Sequence, residues 1–368
     1  MTGPQAAIPP ARPVIGEDEI SAAVRVLRSG MVVQGPEVAA FEREFGELVG
    51  GRHCVAVNSG TSALQLALLA LDLKPGDEVI VPSFSFAATA NAVRLVGAVP
   101  VFADIEPDTF CLNPDAVAAA VTPRTVAIMP VHLYGHPAAM DRIMPIAGAH
   151  GLAVVEDAAQ AHAATLGGRP VGAFGLAGCF SFYPTKNMHS LEGGMITTAD
   201  AGFARTLRLL RNQGMEQRYQ NEIVGANMRL TDVAAAIGRV QLGKLAGWTR
   251  QRRANAAYLD DRLTGVVVPA VAPGAGHVYH QYTVRVPGER EAFQAALRER
   301  GVGSAVYYPT PIHRLRPYLT EGGTPGPWKL PETDRAAAEV VSLPIFPTLT
   351  TEELDRVVEA VNAAAVSV

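Results

Sequence analysis

A lysine, an aspartate and a glycine–hydroxyl turn stand at three element boundaries of this 368-residue chain. The lysine is Lys186, in Cys179-Phe180-Ser181-Phe182-Tyr183-Pro184-Thr185-Lys186-Asn187, just ahead of Glu192-Gly193-Gly194. The aspartate is Asp157, in Val155-Glu156-Asp157-Ala158-Ala159-Gln160. The turn is Asn58-Ser59-Gly60-Thr61-Ser62. Together they are what pyridoxal phosphate requires: an amine for a Schiff base, a carboxylate to keep the ring nitrogen protonated, and a phosphate seat.

Each piece alone has a plainer reading. An isolated S-G-T-S is an ordinary helix cap. Here Gly60 lets the backbone approach an anion, and Thr61 and Ser62 open a helix whose free N–H groups suit a phosphate. Asp157 follows the apolar run Leu152–Val155. Adjacent strand residues face opposite ways, so Glu156 and Asp157 are not both expected in the site. Most lysines are solvated, but Lys186 sits among Phe180, Phe182 and Tyr183, a context that lowers an amine's pKa. Ser181 could add a phosphate hydroxyl, Gln160 a contact to the ring hydroxyl, and Phe86 a stacking face. His132 and His136 are separated by Gly135, which argues against a helical metal pair, so no metal is expected. Arg205, Arg208 and Arg211 recur at helical spacing and read as a solvated face.

Around these residues the chain alternates short β-rich runs with amphipathic helical stretches. Runs at Cys54–Val57, Glu78–Pro82, Val99–Asp104, Val126–Val131 and Ala153–Glu156 alternate with helices such as Thr61–Leu73 and Ala87–Val96. This predicts an α/β fold with a mostly parallel sheet between helices. Its ligand crevice lies beyond the strand carboxyl ends. A long helix, Thr231–Leu263, is followed by a strand (His277–Val286), a helix (Glu289–Arg300), a strand (Ser304–Tyr308), a Pro/Gly-rich stretch (Thr320–Pro331) and a helix (Thr351–Ala364). We expect a large domain over 1–245, with a loose arm at 1–13, and a smaller α+β domain over 246–368.

Composition limits the function. Hydrophobic residues are 48% and charged residues 18%, as in a globular protein. A net charge of −4 argues against nucleic acid as a partner. The three cysteines lack metal or disulfide spacing, which fits a reducing compartment. No apolar run is long enough to span a bilayer. A cytoplasmic location is the expectation.

The sequence resembles the DegT/DnrJ/EryC1/StrS family of sugar aminotransferases over nearly its whole length. The resemblance rests on the motifs above, with Pro75-Gly76-Asp77-Glu78-Val79-Ile80, Val131-His132-Leu133-Tyr134-Gly135, Glu156-Asp157-Ala158-Ala159-Gln160-Ala161-His162, Asn227-Met228-Arg229 and His280-Gln281-Tyr282. It implies a fold type I pyridoxal phosphate transferase. Lys186 then binds the cofactor and Asp157 pairs with its ring nitrogen. Gln160 reaches the ring hydroxyl, and Gly60, Thr61, Ser62 and Ser181 take the phosphate. Asn227 reaches the phosphate of a neighbouring subunit, making the active site a property of a homodimer, alone or paired into a tetramer. Arg229, Tyr308 and His313 become candidates for a sugar-nucleotide pocket. Ala163, Ser190-Leu191 and Tyr307 depart from the family's usual residues and bear on the sugar rather than the chemistry.

The expected reaction takes an amino group from L-glutamate, leaving pyridoxamine phosphate, and passes it to a nucleotide-linked keto sugar. Lys186 moves the proton. In the resemblance, Glu192-Gly193-Gly194 is similar to the family's 4-keto members, which implies a 4-keto-6-deoxyhexose; a 3-keto sugar or an inosose is the near alternative. A non-catalytic regulatory homologue and a pyridoxal phosphate sugar dehydratase are the readings of other classes. The lysine and aspartate count against the first, and a lysine where related dehydratases carry histidine counts against the second.

Overall fold

The computed structural model describes residues 6–286, 288–320 and 326–367. The first five residues of the expected arm and 321–325 of the Pro/Gly-rich stretch lie outside the described residues. Seven strands, β1 (His53–Val57), β2 (Glu78–Pro82), β3 (Val99–Ala103), β4 (Thr125–Ile128), β5 (Ala153–Asp157), β6 (Ala177–Ser181) and β7 (Gly194–Thr198), form one sheet in the order β1-β7-β6-β5-β4-β2-β3. β7 runs antiparallel to both neighbours and the other pairs are parallel. The strands are almost wholly buried apolar runs, as helices on both faces of a sheet require. The expected α/β class is therefore the observed one.

Two-residue alternation decides which side chains reach the site. On β6, Phe180 turns into a cluster with Phe45 at 5.0 Å. Phe182, just beyond the strand, meets Phe41 at 5.0 Å. Ser181, between them, faces the start of the helix Gly60–Leu69. The two phenylalanines thus anchor the segment ahead of Lys186, each burial contributing about 1.5–3 kcal/mol. Tyr183 is exposed, so the aromatic run does not itself enclose the lysine.

The helix Asp232–Asp260 joins two cores. Its first half contributes Ala235 and Leu245 to the Phe41–Phe182 cluster. Its second half contributes Ala256 and Leu259 to a cluster with Tyr282, Phe293 and Phe346. There β8 (Tyr282–Arg285) pairs antiparallel with β9 (Val340–Leu343), and the helices Arg290–Glu299 and Thr351–Ser367 lie nearby. The boundary expected at 245/246 falls within this unbroken helix, between its contributions to the two cores. Among the described residues no helix is long and apolar enough to cross a membrane.

Several expectations are corrected. The helix after β1 stops at Leu69 because Asp72 takes a left-handed φ of 53° that turns the chain toward Pro75. The strand expected over His277–Val286 is only β8, since Tyr279 at φ 46° bends the backbone before it. Ser304–Tyr308 makes one bridge, Ala305 to Ser342, and is not a strand. The arm is not loose where described: Ile8 is buried and bridges Val302. Arg211 does not join a solvated face; it is buried, pairing with Glu42 at 2.5 Å and donating to the Ala56 carbonyl at 2.7 Å.

Candidate functional site

Three segments meet at the carboxyl edge of the sheet. Just beyond β1, Ser59 caps the helix Gly60–Leu69: its hydroxyl accepts the Ser62 N–H at 3.1 Å and meets the Ser62 hydroxyl at 2.9 Å. The N–H groups of Gly60 and Thr61 keep no helical partner, the property that makes a helix start an anion site. A Cβ on Gly60 would lie 2.6 Å from the Cβ of Ser181. A Cβ on Gly194 would lie 2.3 Å from the Ser59 carbonyl oxygen. These two glycines let the ends of β1, β6 and β7 close together, placing the Ser181 hydroxyl beside the helix start.

Asp157 ends β5 with its side chain buried. One oxygen accepts the Thr89 hydroxyl at 2.8 Å and the other the Ala159 N–H at 3.2 Å. Burial raises its pKa, and the bonds from Thr89 and Ala159 with the charge of Lys186 do not recover it. Burial lowers the Lys186 pKa to about 8, against the pull of Asp157. No hydrogen-bond acceptor holds the Lys186 amine among the described residues. Its neighbour Asn187 is fixed instead, donating to the Val278 carbonyl at 3.0 Å and meeting the His280 ring at 3.3 Å.

The other candidates are distributed unevenly. Gln160 has both ends of its amide engaged: it accepts the Tyr134 N–H at 2.8 Å and donates to the Tyr308 hydroxyl at 2.9 Å. Phe86 is exposed, its ring 6.0 Å from that of Tyr308. Asn227 is exposed with no side-chain partner among the described residues. Arg229 donates to Asn212 at 2.8 Å. His313 is buried and bonded to Ser83 at 2.7 Å, which ties it into the fold and away from a free role. His132 and His136 serve the scaffold: His132 meets Glu156 at 3.0 Å, and His136 bonds the Pro137 carbonyl at 2.7 Å and the Ala272 N–H at 3.0 Å. No metal-binding cluster occurs among the described residues.

One further group was not singled out from sequence. His162 is buried with both ring nitrogens unpartnered, against Phe180 and Phe182 at 5.4 and 5.7 Å. Burial, with Lys186 adding to it, drives its pKa down to about 3. It is a neutral flat ring near the lysine; only its place five residues beyond Asp157 marked it in the sequence.

An unpaired amine, a carboxylate short of donors and a cradle that a Cβ would fill match the three contacts of pyridoxal phosphate. The chain matches the model of the DegT/DnrJ/EryC1/StrS aminotransferase family over residues 13–362. It is 45% identical to the erythromycin biosynthesis sensory transduction protein EryC1 of Saccharopolyspora erythraea, covering 93% of each chain. It is 44% identical to the dTDP-3-amino-3,4,6-trideoxy-alpha-D-glucose transaminase of Streptomyces venezuelae, over 93% of this chain and 90% of that one. Among solved structures it overlays the S. venezuelae protein DesV, crystallised with a ketimine intermediate, at a TM-score of 0.90, 44% identity and 94% coverage of both chains. The chain belongs to the DegT/DnrJ/EryC1/StrS aminotransferase family and is a pyridoxal phosphate-dependent aminotransferase.

Proposed function

We propose that this aminotransferase moves an amino group from L-glutamate to a nucleotide-linked keto sugar. The observation that carries the reading is the unpaired, pKa-lowered amine of Lys186 beside the buried carboxylate of Asp157. When bound, the cofactor supplies an electron sink and an amine carrier. Lys186 would hold its aldehyde carbon and afterwards move the proton at the donor α-carbon, a task suited to an amine that titrates near pH 8. Asp157 would keep the ring nitrogen protonated. Gly60, Thr61, Ser62 and Ser181 would hold the phosphate. Asn227 is left free to serve a second copy in a homodimer.

The position of amination turns on one comparison. Glu192, which pointed to a 4-keto sugar, is exposed, and its backbone carbonyl accepts the Ser190 hydroxyl. The relative named for a 3-amino sugar, at 44% identity, moves our reading to the 3-keto carbon. Arg229 and Tyr308 remain proposed for the sugar pocket; His313 does not, because it and its partner Ser83 are both buried.

The absorption spectrum before and after L-glutamate tests the donor half. We expect a yellow band that gives way to that of pyridoxamine phosphate. A band that ignores L-glutamate rejects this donor, and no band after added pyridoxal phosphate rejects the role of Lys186. Paired 3-keto and 4-keto nucleotide sugars, scored by which restores the yellow form, then decide the position.

A further inference from the structure

A buried guanidinium without an acid shares a cavity with Lys186. Arg252, on the helix Asp232–Asp260, keeps only 5% of its surface exposed. Its Nη1 donates to the carbonyl oxygens of Tyr279 at 3.1 Å and Ile345 at 2.9 Å. Its Nε has no partner, and no carboxylate among the described residues forms an ion pair with it. Carbonyl acceptors satisfy N–H groups but do not neutralise a charge. A buried cation ordinarily has an anion beside it.

The cavity is small and one-sided in charge. It measures about 30 Å³ and is lined by Lys186, Asn187, His280, Ser342 and Arg252, together with Arg12 of the arm and Val14 just beyond it. No aspartate or glutamate lines it. That volume admits roughly two water-sized groups, the footprint of the two oxygens of a carboxylate. Burial lowers the Arg252 pKa to about 10, so the group stays charged at neutral pH. Burial also pushes the His280 pKa well down, with Lys186 and Arg252 adding to it, so this histidine is neutral there.

We propose that Arg252 binds the α-carboxylate of the amino donor, and of the 2-oxo acid it becomes, in this cavity. One carboxylate fits, and Lys186 shares the wall, so the group bound is the one nearest the reacting amine. The inference rests on the reading that the donor is an α-amino acid. It assigns donor recognition to the junction of the two cores, away from the open side marked by Phe86.

The test follows the glutamate half-reaction at the cofactor band in Arg252→Gln and Arg252→Lys. Arg252→Gln should raise the L-glutamate concentration for half-maximal rate roughly tenfold or more. Arg252→Lys should recover part of that loss. The response to 4-aminobutyrate, which has no α-carboxylate, should hardly change. Binding is read separately by the fluorescence of Trp248, on the same wall. In cofactor-free protein, 2-oxoglutarate should shift it in the wild type and about tenfold more weakly in Arg252→Gln. A folded Arg252→Gln with unchanged glutamate dependence overturns the proposal, as does wild-type protein that does not bind 2-oxoglutarate. Should Arg252→Gln not fold, Arg252→Lys with unaltered glutamate dependence and unaltered 2-oxoglutarate binding overturns it. If wild type ignores L-glutamate yet binds 2-oxoglutarate through Arg252, the donor assignment fails and the carboxylate site stands.

Discussion

Glu156 and Asp157 are neighbours on one strand, both buried, and they do opposite things. Glu156 accepts the N–H groups of Gly172, Phe174 and Gly175 at 2.7 Å each and meets His132 at 3.0 Å. Burial pushes its pKa up, but His132 and those N–H groups outweigh burial and hold it below the ordinary value. Asp157 has two donors in place of four contacts, and its pKa stays raised. A buried carboxylate with a full set of donors is scaffold. One left short of donors favours a cation placed against it, and Lys186 and a protonated ring nitrogen are such cations.

The largest break in this comparison is removal of the cation. Lys186→Ala should abolish the yellow band and turnover while keeping the fold, because no described residue depends on that amine for a hydrogen bond. Near-normal activity would sink the assignment. Stability should not fall. An ammonium held near pH 8 against an ordinary 10.5 costs the cofactor-free native state about 3 kcal/mol at neutral pH. That cost is complete below pH 8 and fades as pH rises toward 10.5, so any gain in the variant's melting temperature should shrink over the same range.

Removing the scaffold carboxylate should strike elsewhere. Glu156→Ala strands His132 and three buried N–H groups and should destabilise the protein by about 3–5 kcal/mol. Denaturant midpoints measure this. The cofactor band of the fraction that stays folded should be preserved, since Glu156 faces the 172–175 loop and not Lys186. A stable variant that lost its band would mean that the two faces of β5 are not separate.

Much of this contrast was legible in the sequence, and the rest was hidden for physical reasons. Strand alternation alone assigned Glu156 and Asp157 to opposite faces, and Gly60 was legible as an approach to an anion; that Gly60 and Gly194 also make room for Ser181 and Ser59 is set by contacts distant in sequence. What Glu156 binds could not be read, because its partners come from the loop at 172–175 and from His132. Strand order was equally hidden: nothing local says that β7 inserts between β1 and β6. Helical spacing misled at Arg211, whose acid, Glu42, lies on a different helix. The same blindness covered Arg252, one of three arginines within four residues of a helix, whose buried side is set by Tyr279 and Ile345.

The subtlest expectation concerns Asp157→Asn. The substitution keeps the shape and a hydrogen-bonding group but no longer favours a protonated ring nitrogen. The glutamate half-reaction should slow by about a hundredfold or more, in the range of a lost preorganised charge contact. An unchanged rate would remove the ring-nitrogen role. Without cofactor the two carboxylates should also respond to pH with opposite signs. The raised pKa of Asp157 means that its ionised form costs stability at neutral pH, and the cost disappears as pH falls through the native value toward 3.8. The lowered pKa of Glu156 means that it contributes stability above 4.5, lost as pH falls through its native value. Melting temperatures of cofactor-free Asp157→Asn should therefore lie at or above wild type near pH 7 and converge with it on acidification. Those of Glu156→Gln should lie below wild type near pH 7 and converge from the other side. Convergence from the same side in both variants would show that Asp157 is no shorter of donors than Glu156, and that it is scaffold too.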